Sequence, residues 1–309
     1  MSPLFKNIIG HQKQIQLLRD DLENENLAHA YLLAGPADLG KFTVAKAFVK
    51  TIQTDQLEED RAYQISMLID KGIHADTLFY QVGVKEESIK IAEIRSVLMN
   101  LQMTGDSTRR VLVMEDIDRM TLEAANAMLK ILEEPPSKVL FIFTSSNPKA
   151  ILETILSRVR RIDFQLMSNK ELFLALKNRY RLTEEKKIYR TMELAQGRVA
   201  KAIKLLETDE HFQAYENIYT QIKNFLENRD VAAAFNLISQ IHTDPILIQI
   251  FLEISFIVFR DDLKKAVAEN NRAKQLDSTE KLIKLMEVKR LSETNVNSRL
   301  LLENFILSL

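Results

Sequence analysis

An arginine that follows a buried strand by one short helix can act on a phosphate held by another subunit. Ser157 and Arg158 come one short helix after the apolar run 139–143. A guanidinium is always charged and presents a planar fork of donors, which suits it to neutralise phosphate oxygens. We predict that Arg158 reaches a neighbour's nucleotide, with Ser157 capping or orienting the helix that presents it. A surface arginine in a salt bridge is the alternative.

A glycine-rich turn near the N-terminus could bind phosphate. Residues 35–43 match the pattern G-x-x-x-x-G-K-[ST] in all but its last position. Gly35 and Gly40 would let backbone N–H groups face phosphate oxygens, and Lys41 would add its charge at a helix N-terminus. Phe42 stands where Ser or Thr normally holds Mg²⁺, and Thr43 is one residue late. We predict a real but catalytically impaired phosphate loop; a chance Gly-Lys turn and a working loop are the alternatives.

An acidic pair ends the predicted strand 111–114. Nucleotide hydrolases of this layout carry Asp then Glu at this place, the first for the metal and the second for the attacking water. Here the order is Glu115 then Asp116. Each carboxylate is displaced by about one methylene, and a misplacement of about 1 Å can cost roughly 100-fold in rate. The pair therefore argues against hydrolysis, with a solvated acidic turn as the alternative.

The composition limits the classes of function. Hydrophobic residues make up 46% and charged residues 28% of 309 residues, and the net charge is −1, so any contact with DNA must be local. The absence of cysteine excludes disulfides and cysteine-ligated zinc, and the histidines show no paired ligand spacing. No signal-peptide layout and no run of membrane-spanning length is present, so we expect a cytoplasmic protein without membrane contact.

The predicted secondary structure that positions these residues changes along the chain from alternating strands and helices to helices alone. Apolar runs at 30–34, 77–82, 111–114 and 139–143 predict buried parallel strands, and 161–164 can add a fifth. From Ser168, which has the pattern of a helix N-cap, the chain reads as helices only. Asp244 and Pro245 predict the start of a further helix, whose stretch 246–259 is apolar enough to be buried. The sequence therefore predicts an α/β domain followed by all-α domains.

Residues 121–136 carry the longest motif. They are similar to A-x-N-A-L-L-K-x-L-E-E-P-P, the signature of the bacterial clamp-loader AAA+ family of DNA polymerase III. The family's order and spacing are also found at residues 5–12, 29–33, 94–95 and 157–158. Residues 295–303 resemble its final helix. The resemblance implies a RecA-like AAA+ domain at 1–165, a helical lid at 166–207 and a helical collar at 208–309.

Within this family the chain resembles the delta-prime class. The ATPase class, gamma or tau, has an intact phosphate loop, Asp-Glu at the strand end and an Arg three residues after a Gly in the lid. This sequence has Phe42, Glu115-Asp116 and, three residues after Gly197, Ala200. The shared Ser-Arg-Cys motif appears with Val159 in place of Cys, and its Arg is kept. Ser145 and Ser146 fall where active relatives sense the γ-phosphate.

The resemblance implies a subunit of a five-membered ring that places a sliding clamp on primer–template DNA. Its partners would be the gamma/tau ATPase subunit and the delta subunit. It would not hydrolyse ATP, would bind ATP weakly at most, and would hold no zinc, with 52–74 as a short helical replacement for a zinc module. An active gamma-type ATPase and an AAA+ regulator outside the clamp loader are the rival interpretations.

Contact with DNA is a further expectation. Basic side chains around the predicted helix 89–103 could track phosphates, whereas a solvated charged helix face explains them equally well. The collar stretch 246–259 could assemble the ring or form internal core. The candidates for DNA contact are Lys90, Arg95, Arg109 and Arg110, together with Thr104 and Ser107.

Overall fold

The chain forms two compact units. The computed structural model describes residues 5, 8–83, 88–102, 109–135, 138–292, 294 and 296–309. The first unit comprises the described residues of Met1–Thr183 with Ala195–Lys201, and the second those of Glu184–Leu194 with Ala202–Leu309. Residues 166–207, predicted as a separate lid, contribute to both units. The division into three domains therefore stays a prediction.

A parallel five-stranded sheet forms the centre of the first unit. Its order is β2-β3-β4-β1-β5, and every neighbouring pair is parallel. All five strands lie where the sequence predicts them, although the second ends two residues earlier than expected. Their bounds are β1 (Ala30–Ala34), β2 (Thr77–Tyr80), β3 (Arg110–Met114), β4 (Val139–Ser145) and β5 (Arg160–Asp163).

Helices cover both faces of this sheet. Along β1, Leu32 packs into one apolar cluster and Leu33 into another on the opposite face, which explains why the strand is apolar at every position. The predicted helical segment 52–74 is confirmed by α3. The helices are α1 (Gln12–Glu23), α2 (Lys41–Thr54), α3 (Glu59–Asp70), α4 (Ile91–Gln102), α5 (Leu122–Glu133), α6 (Glu153–Leu156) and α7 (Asn169–Arg179).

The remainder of the chain is helical, as predicted. Ser168 begins α7 with a reciprocal cap: its side chain accepts from the Glu171 N–H, while the Glu171 carboxylate accepts from the Ser168 N–H. Asp244 caps α12 by accepting from the Ile246 N–H at 2.8 Å. The remaining helices are α8 (Glu185–Ala195), α9 (Val199–Glu207), α10 (Asp209–Asn228), α11 (Val231–Ile241), α12 (Pro245–Ala268), α13 (Arg272–Ser292) and α14 (Ser298–Leu307).

The second unit has its own apolar core. Phe251 and Phe259 of α12 pack against Phe305 of α14, with ring centroids 6.3 Å apart in both pairs. The buried side of the predicted stretch 246–259 is thus internal core, which was one of its two interpretations. No helix in the described part of the chain combines the length and apolarity that crossing a membrane requires.

Candidate functional site

Three strands end side by side at the carboxyl edge of the sheet. We use this term for the side at which the carboxyl ends of its parallel strands lie, and amino edge for the opposite side. β4 pairs with β1 on one side and with β3 on the other. Because all strands are parallel, the turn after β1, the acidic pair after β3 and the serines at the end of β4 share this edge. Ligands of open α/β sheets bind at such an edge. The structure therefore brings together the residues that the sequence predicts for a nucleotide site.

The phosphate loop depends on its two glycines in different ways. Gly35 has φ +149°, and a Cβ there would lie 2.4 Å from the carbonyl oxygen of Phe164. Gly40 precedes α2 with φ +83°, and a Cβ there would meet nothing closer than 4.0 Å. Gly35 is thus required by close packing, whereas Gly40 is required by its left-handed backbone. Asp38 between them also has a positive φ, 60°.

Lys41 binds its own loop. The Nζ atom donates to the carbonyl oxygens of Gly35 and Pro36, both at 2.7 Å. The residue is only 6% exposed. Burial lowers the pKa of Lys41, and the nearby carboxylates, Asp116 first, oppose that shift. A phosphate would have to draw the ammonium group away from two hydrogen bonds.

The position that normally holds a metal hydroxyl is used for packing. Phe42 is half-buried against the apolar cluster of the sheet, and its ring centroid lies 5.7 Å from that of Phe79 in β2, edge to face. Thr43 is exposed on the next position of α2. Phe42 therefore offers an aromatic contact to β2 where the pattern calls for an oxygen ligand.

The acidic pair after β3 is held by neighbouring side chains. Gln81 Nε2 donates to Glu115 Oε2 at 2.6 Å. Asp116 has a left-handed backbone, φ 50° and ψ 52°, and its N–H donates to Thr144 Oγ1 at 3.2 Å. Burial raises the pKa of Glu115 and of Asp116; for Asp116 the charge of Asp118 adds to the rise, and Lys41 lowers it. The pair is partly desolvated, and both residues already form hydrogen bonds with neighbouring side chains.

Ser145 and Ser146 form hydrogen bonds at the end of β4. Ser145 is fully buried, and its Oγ accepts from the Asn147 N–H at 3.1 Å. The Ser146 N–H donates to Asp118 Oδ1 at 3.1 Å, and its Oγ lies 3.5 Å from Asp116 Oδ1. The two contacts of Ser146 tie the end of β4 to the acidic turn after β3.

Ala200 lies beside the phosphate loop. Its N–H donates to the carbonyl oxygen of Asp38 at 2.9 Å, and its Cβ would be 4.0 Å from a Cβ at Gly40. A long basic side chain at position 200 would have the loop within reach, whereas alanine brings no charge. A backbone hydrogen bond holds the loop here instead.

Arg158 is held on the surface by residues of its own chain. Its Nη1 donates to the carbonyl oxygen of Thr154 at 2.9 Å and to Ser157 Oγ at 3.3 Å. Its Nη2 donates to Glu133 Oε1 at 2.9 Å, and 35% of the side chain is exposed. Ser157 is the C-cap residue of α6 and donates to the same Thr154 carbonyl. Ser157 therefore orients the arginine from the end of the helix.

Arg158 and the phosphate loop lie at opposite edges of the sheet. Arg160 of β5 pairs with Tyr31 near the start of β1, and Asp163 pairs with Ala34 at its end. Arg158 precedes β5, whereas the loop follows Ala34. Four strand residues at about 3.3 Å each separate the two edges by roughly 13 Å. Arg158 is therefore placed away from the phosphate loop of its own chain.

The structure does not gather the candidates for DNA contact. Lys90 precedes α4 near the carboxyl edge, because Ile89 forms a bridge with Met120 after β3, and Arg95 is exposed on the same helix. Arg109 and Arg110 lie at the start of β3, at the other edge. The Arg110 side chain contacts the Leu101 carbonyl oxygen and Asp76. Thr104 and Ser107 lie outside the described residues.

Several residues of the site were not identified from the sequence. Asp118 and Glu133 lie inside motifs already singled out, the acidic turn and 121–136, so their positions carried a signal. Gln81 and Thr144 carried none, because their partners are distant in sequence. Among the residues that the structure describes, no group of three His, Asp or Glu side chains is placed to hold a metal ion. The expected absence of zinc stays a prediction.

The strand order, the phosphate-loop turn after β1 and the helices that follow define an AAA+-type α/β domain joined to helical regions. A family model described as DNA polymerase III, delta subunit, matches residues 10–168, just over half of the chain. The chain belongs to this family, which places it among the clamp-loader subunits of DNA polymerase III.

Relatives agree with this placement, and a solved structure shares the fold. The chain is 26% identical to the DNA polymerase III subunit delta' of Bacillus subtilis (strain 168), over 96% of this chain and 94% of that protein. It is 28% identical to the subunit gamma of Buchnera aphidicola subsp. Schizaphis graminum (strain Sg), over 67% of this chain and 58% of the relative. A gamma subunit-related protein from Thermotoga maritima MSB8 has the same fold, with a TM-score of 0.51, 19% identity and coverage of 96% and 98%.

Proposed function

We propose that this chain is the delta-prime-type subunit of a clamp loader. It helps to place a sliding clamp on primer–template DNA in the cytoplasm, together with a gamma/tau-type ATPase subunit and a delta subunit. It supplies Arg158 to the nucleotide site of the ATPase subunit and does not hydrolyse ATP itself. The similarity to delta' over nearly the full length of both chains supports the choice of class.

The observation that carries this proposal is the placement of Arg158 across the sheet from its own loop. An arginine at the amino edge, where the strands begin, cannot contact a nucleotide at the carboxyl edge of the same sheet. It can face the carboxyl edge of an adjacent subunit. Head-to-tail contacts of this kind are those that build rings. The Thr154 carbonyl and Ser157 fix one side of the guanidinium, so little side-chain entropy remains to be lost on docking.

The state of the chain's own loop supports the absence of hydrolysis. Phe42 contributes no metal ligand, Lys41 is bound by loop carbonyls, and Ala200 brings no charge to the phosphates. The retained glycines and Lys41 leave room for weak ATP binding. They are also what favours the second candidate, an active gamma-type ATPase.

Substitution of Arg158 in the reconstituted complex tests the proposal. We expect Arg158→Ala to leave the chain folded and assembled, because the side chain is part-exposed, and to slow the ATPase stimulated by clamp and DNA. Trans-acting arginines contribute roughly 10³–10⁵ at the site they serve. Because the other sites keep working, total turnover should fall by a fraction and clamp loading by more. Arg158→Lys should not restore the rate, since an ammonium group lacks the fork.

Arg161→Ala is the matched control. Arg161 is an exposed arginine three residues further on, paired with Asp163 inside β5. It should leave both rates unchanged. Clamp loading at the wild-type rate with Arg158→Ala would show that Arg158 is only a surface residue.

A further inference from the structure

The ion pair between Arg158 and Glu133 joins residues that are 25 positions apart and belong to different motifs. Glu133 is the last residue of α5 and comes from the motif 121–136. Its Oε1 accepts from Arg158 Nη2 at 2.9 Å, and 52% of its side chain is exposed. A carboxylate at a helix C-terminus faces the negative end of the helix dipole, so the isolated placement is unfavourable. The arginine offsets that cost.

The contacts of Arg158 divide into a fixed part and an exchangeable part. A guanidinium has five N–H donors. Nη1 donates to Thr154 of α6 and to its C-cap residue Ser157, and Nη2 donates to Glu133. The Nε and Nη2 groups form the side of the guanidinium that a phosphate can approach. Glu133 already occupies the Nη2 position on this side.

We propose that Glu133 is a positioning residue that acts through Arg158. In the free chain its carboxylate takes the place of a phosphate oxygen on Nη2 and holds the guanidinium extended against α6. When the subunit docks, the neighbour's nucleotide displaces this carboxylate, while Thr154 and Ser157 keep their hold. This inference rests on the proposed role of Arg158 and adds a residue that sets how readily Arg158 transfers to the nucleotide.

The size of the effect follows from the exposure of the pair. Ion pairs between part-exposed side chains contribute little, so removing the carboxylate should change the equilibrium by roughly 2–5-fold. The change should appear in nucleotide binding at the neighbouring site, because Arg158 no longer has to leave one anion for another. The maximal rate should not fall, since the fixed contacts of Nη1 remain.

The experiment measures ATPase rates of the reconstituted complex, with clamp and primer–template DNA, over a range of ATP concentrations. We expect Glu133→Gln to lower the ATP concentration for half-maximal rate by about 2–5-fold without lowering the maximal rate. Glu134→Gln is the matched control, because it removes the adjacent exposed carboxylate and should change neither value. Thermal unfolding of the isolated chains checks that both variants remain folded.

The same substitution is then made in the Arg158→Ala background. If Glu133 acts through Arg158, Glu133→Gln should have no effect there. An unchanged half-maximal concentration in the wild-type background, with Arg158→Ala still slowing the complex, overturns this inference and leaves the proposed function standing. An equal effect in both backgrounds also overturns it. No effect of Arg158→Ala at all removes the proposed function and this inference together.

Discussion

The groups of the carboxyl-edge site form hydrogen bonds with side chains and backbone of the same site. Lys41 is bound by the carbonyl oxygens of Gly35 and Pro36, Glu115 accepts from Gln81, and Ser146 contacts the acidic turn. In a working site these groups would be held ready for a metal ion and phosphates. Here their hydrogen bonds give the loop a defined shape from the protein alone.

Replacement of Asp116 tests whether its negative charge lowers the stability of the folded chain. Burial, and next the charge of Asp118, raise the pKa of Asp116 above its usual value. A raised pKa means that the folded chain favours the protonated form, so stability is lost as pH rises through that pKa. Asparagine has no charge and tolerates the left-handed backbone. We expect Asp116→Asn to raise the melting temperature at pH 7 by roughly 2 °C.

The pH dependence of this rise in melting temperature tests whether the Asp116 charge is its cause. The gain should shrink as the pH is lowered towards the usual range of an aspartate, about 4, because the wild-type carboxylate then takes up its proton. Circular dichroism melts between pH 4 and 7 measure it. Asp55→Asn, at an exposed position after α2, is the matched control. A variant that melts below the wild type at pH 7 would mean that the Asp116 charge stabilises the fold.

The elements were largely predictable because each depends on local pattern. The fully apolar runs identify β1, β3 and β4, and Ser168 and Asp244 mark helix starts through caps that need only nearby N–H groups. The contacts of the site were not predictable, because they depend on which strand ends meet. The bond from Ser146 to Asp118 and that from Arg158 to Glu133 follow from sheet order and helix packing, which sequence spacing does not give.

The phosphate loop gives a test at the scale of an element. A Cβ at Gly35 would clash with the Phe164 backbone at 2.4 Å, whereas a Cβ at Gly40 has 4.0 Å of space. Gly40→Ala should therefore cost only the strain of a left-handed residue, about 1–2 kcal/mol. Gly35→Ala should cost clearly more, since the backbone of β5 or of the loop must move.

Urea unfolding of the two variants and the wild type compares these costs directly. Each glycine serves as the control for the other, because the side chain added is the same. Equal losses would show that loop strain alone governs both positions. A larger loss for Gly40→Ala would contradict the packing argument.

At the scale of the whole molecule, the two sides of the sheet carry the two sets of candidate residues. The phosphate loop and the acidic pair lie at the carboxyl edge, and Arg158 lies at the amino edge. In a head-to-tail assembly one edge faces each neighbour. Under the proposed function the two roles are independent, so Phe42 in the loop does not prevent the chain from supplying Arg158 to a partner.

The last prediction concerns ATP hydrolysis by the isolated chain. Three separate departures are the basis for this expectation: Phe42 supplies no metal ligand, the acidic pair is reversed, and Ala200 supplies no charge. We expect no phosphate release above a control without protein. Because the departures are independent, Phe42→Ser should not restore turnover, although it returns a hydroxyl to the loop. Weak binding of ATP through Lys41 and the loop N–H groups is compatible with this expectation.

Phosphate release is measured on the purified chain with Mg²⁺ and ATP, beside Lys41→Ala as the control for a contaminating ATPase. A rate on the order of 1 per second is typical of working enzymes. If the wild-type chain reached that rate and Lys41→Ala abolished it, Phe42 would be tolerated and the chain would be an active gamma-type ATPase. If Lys41→Ala kept the rate, the activity would belong to another protein, because Lys41 is the loop's only side-chain cation.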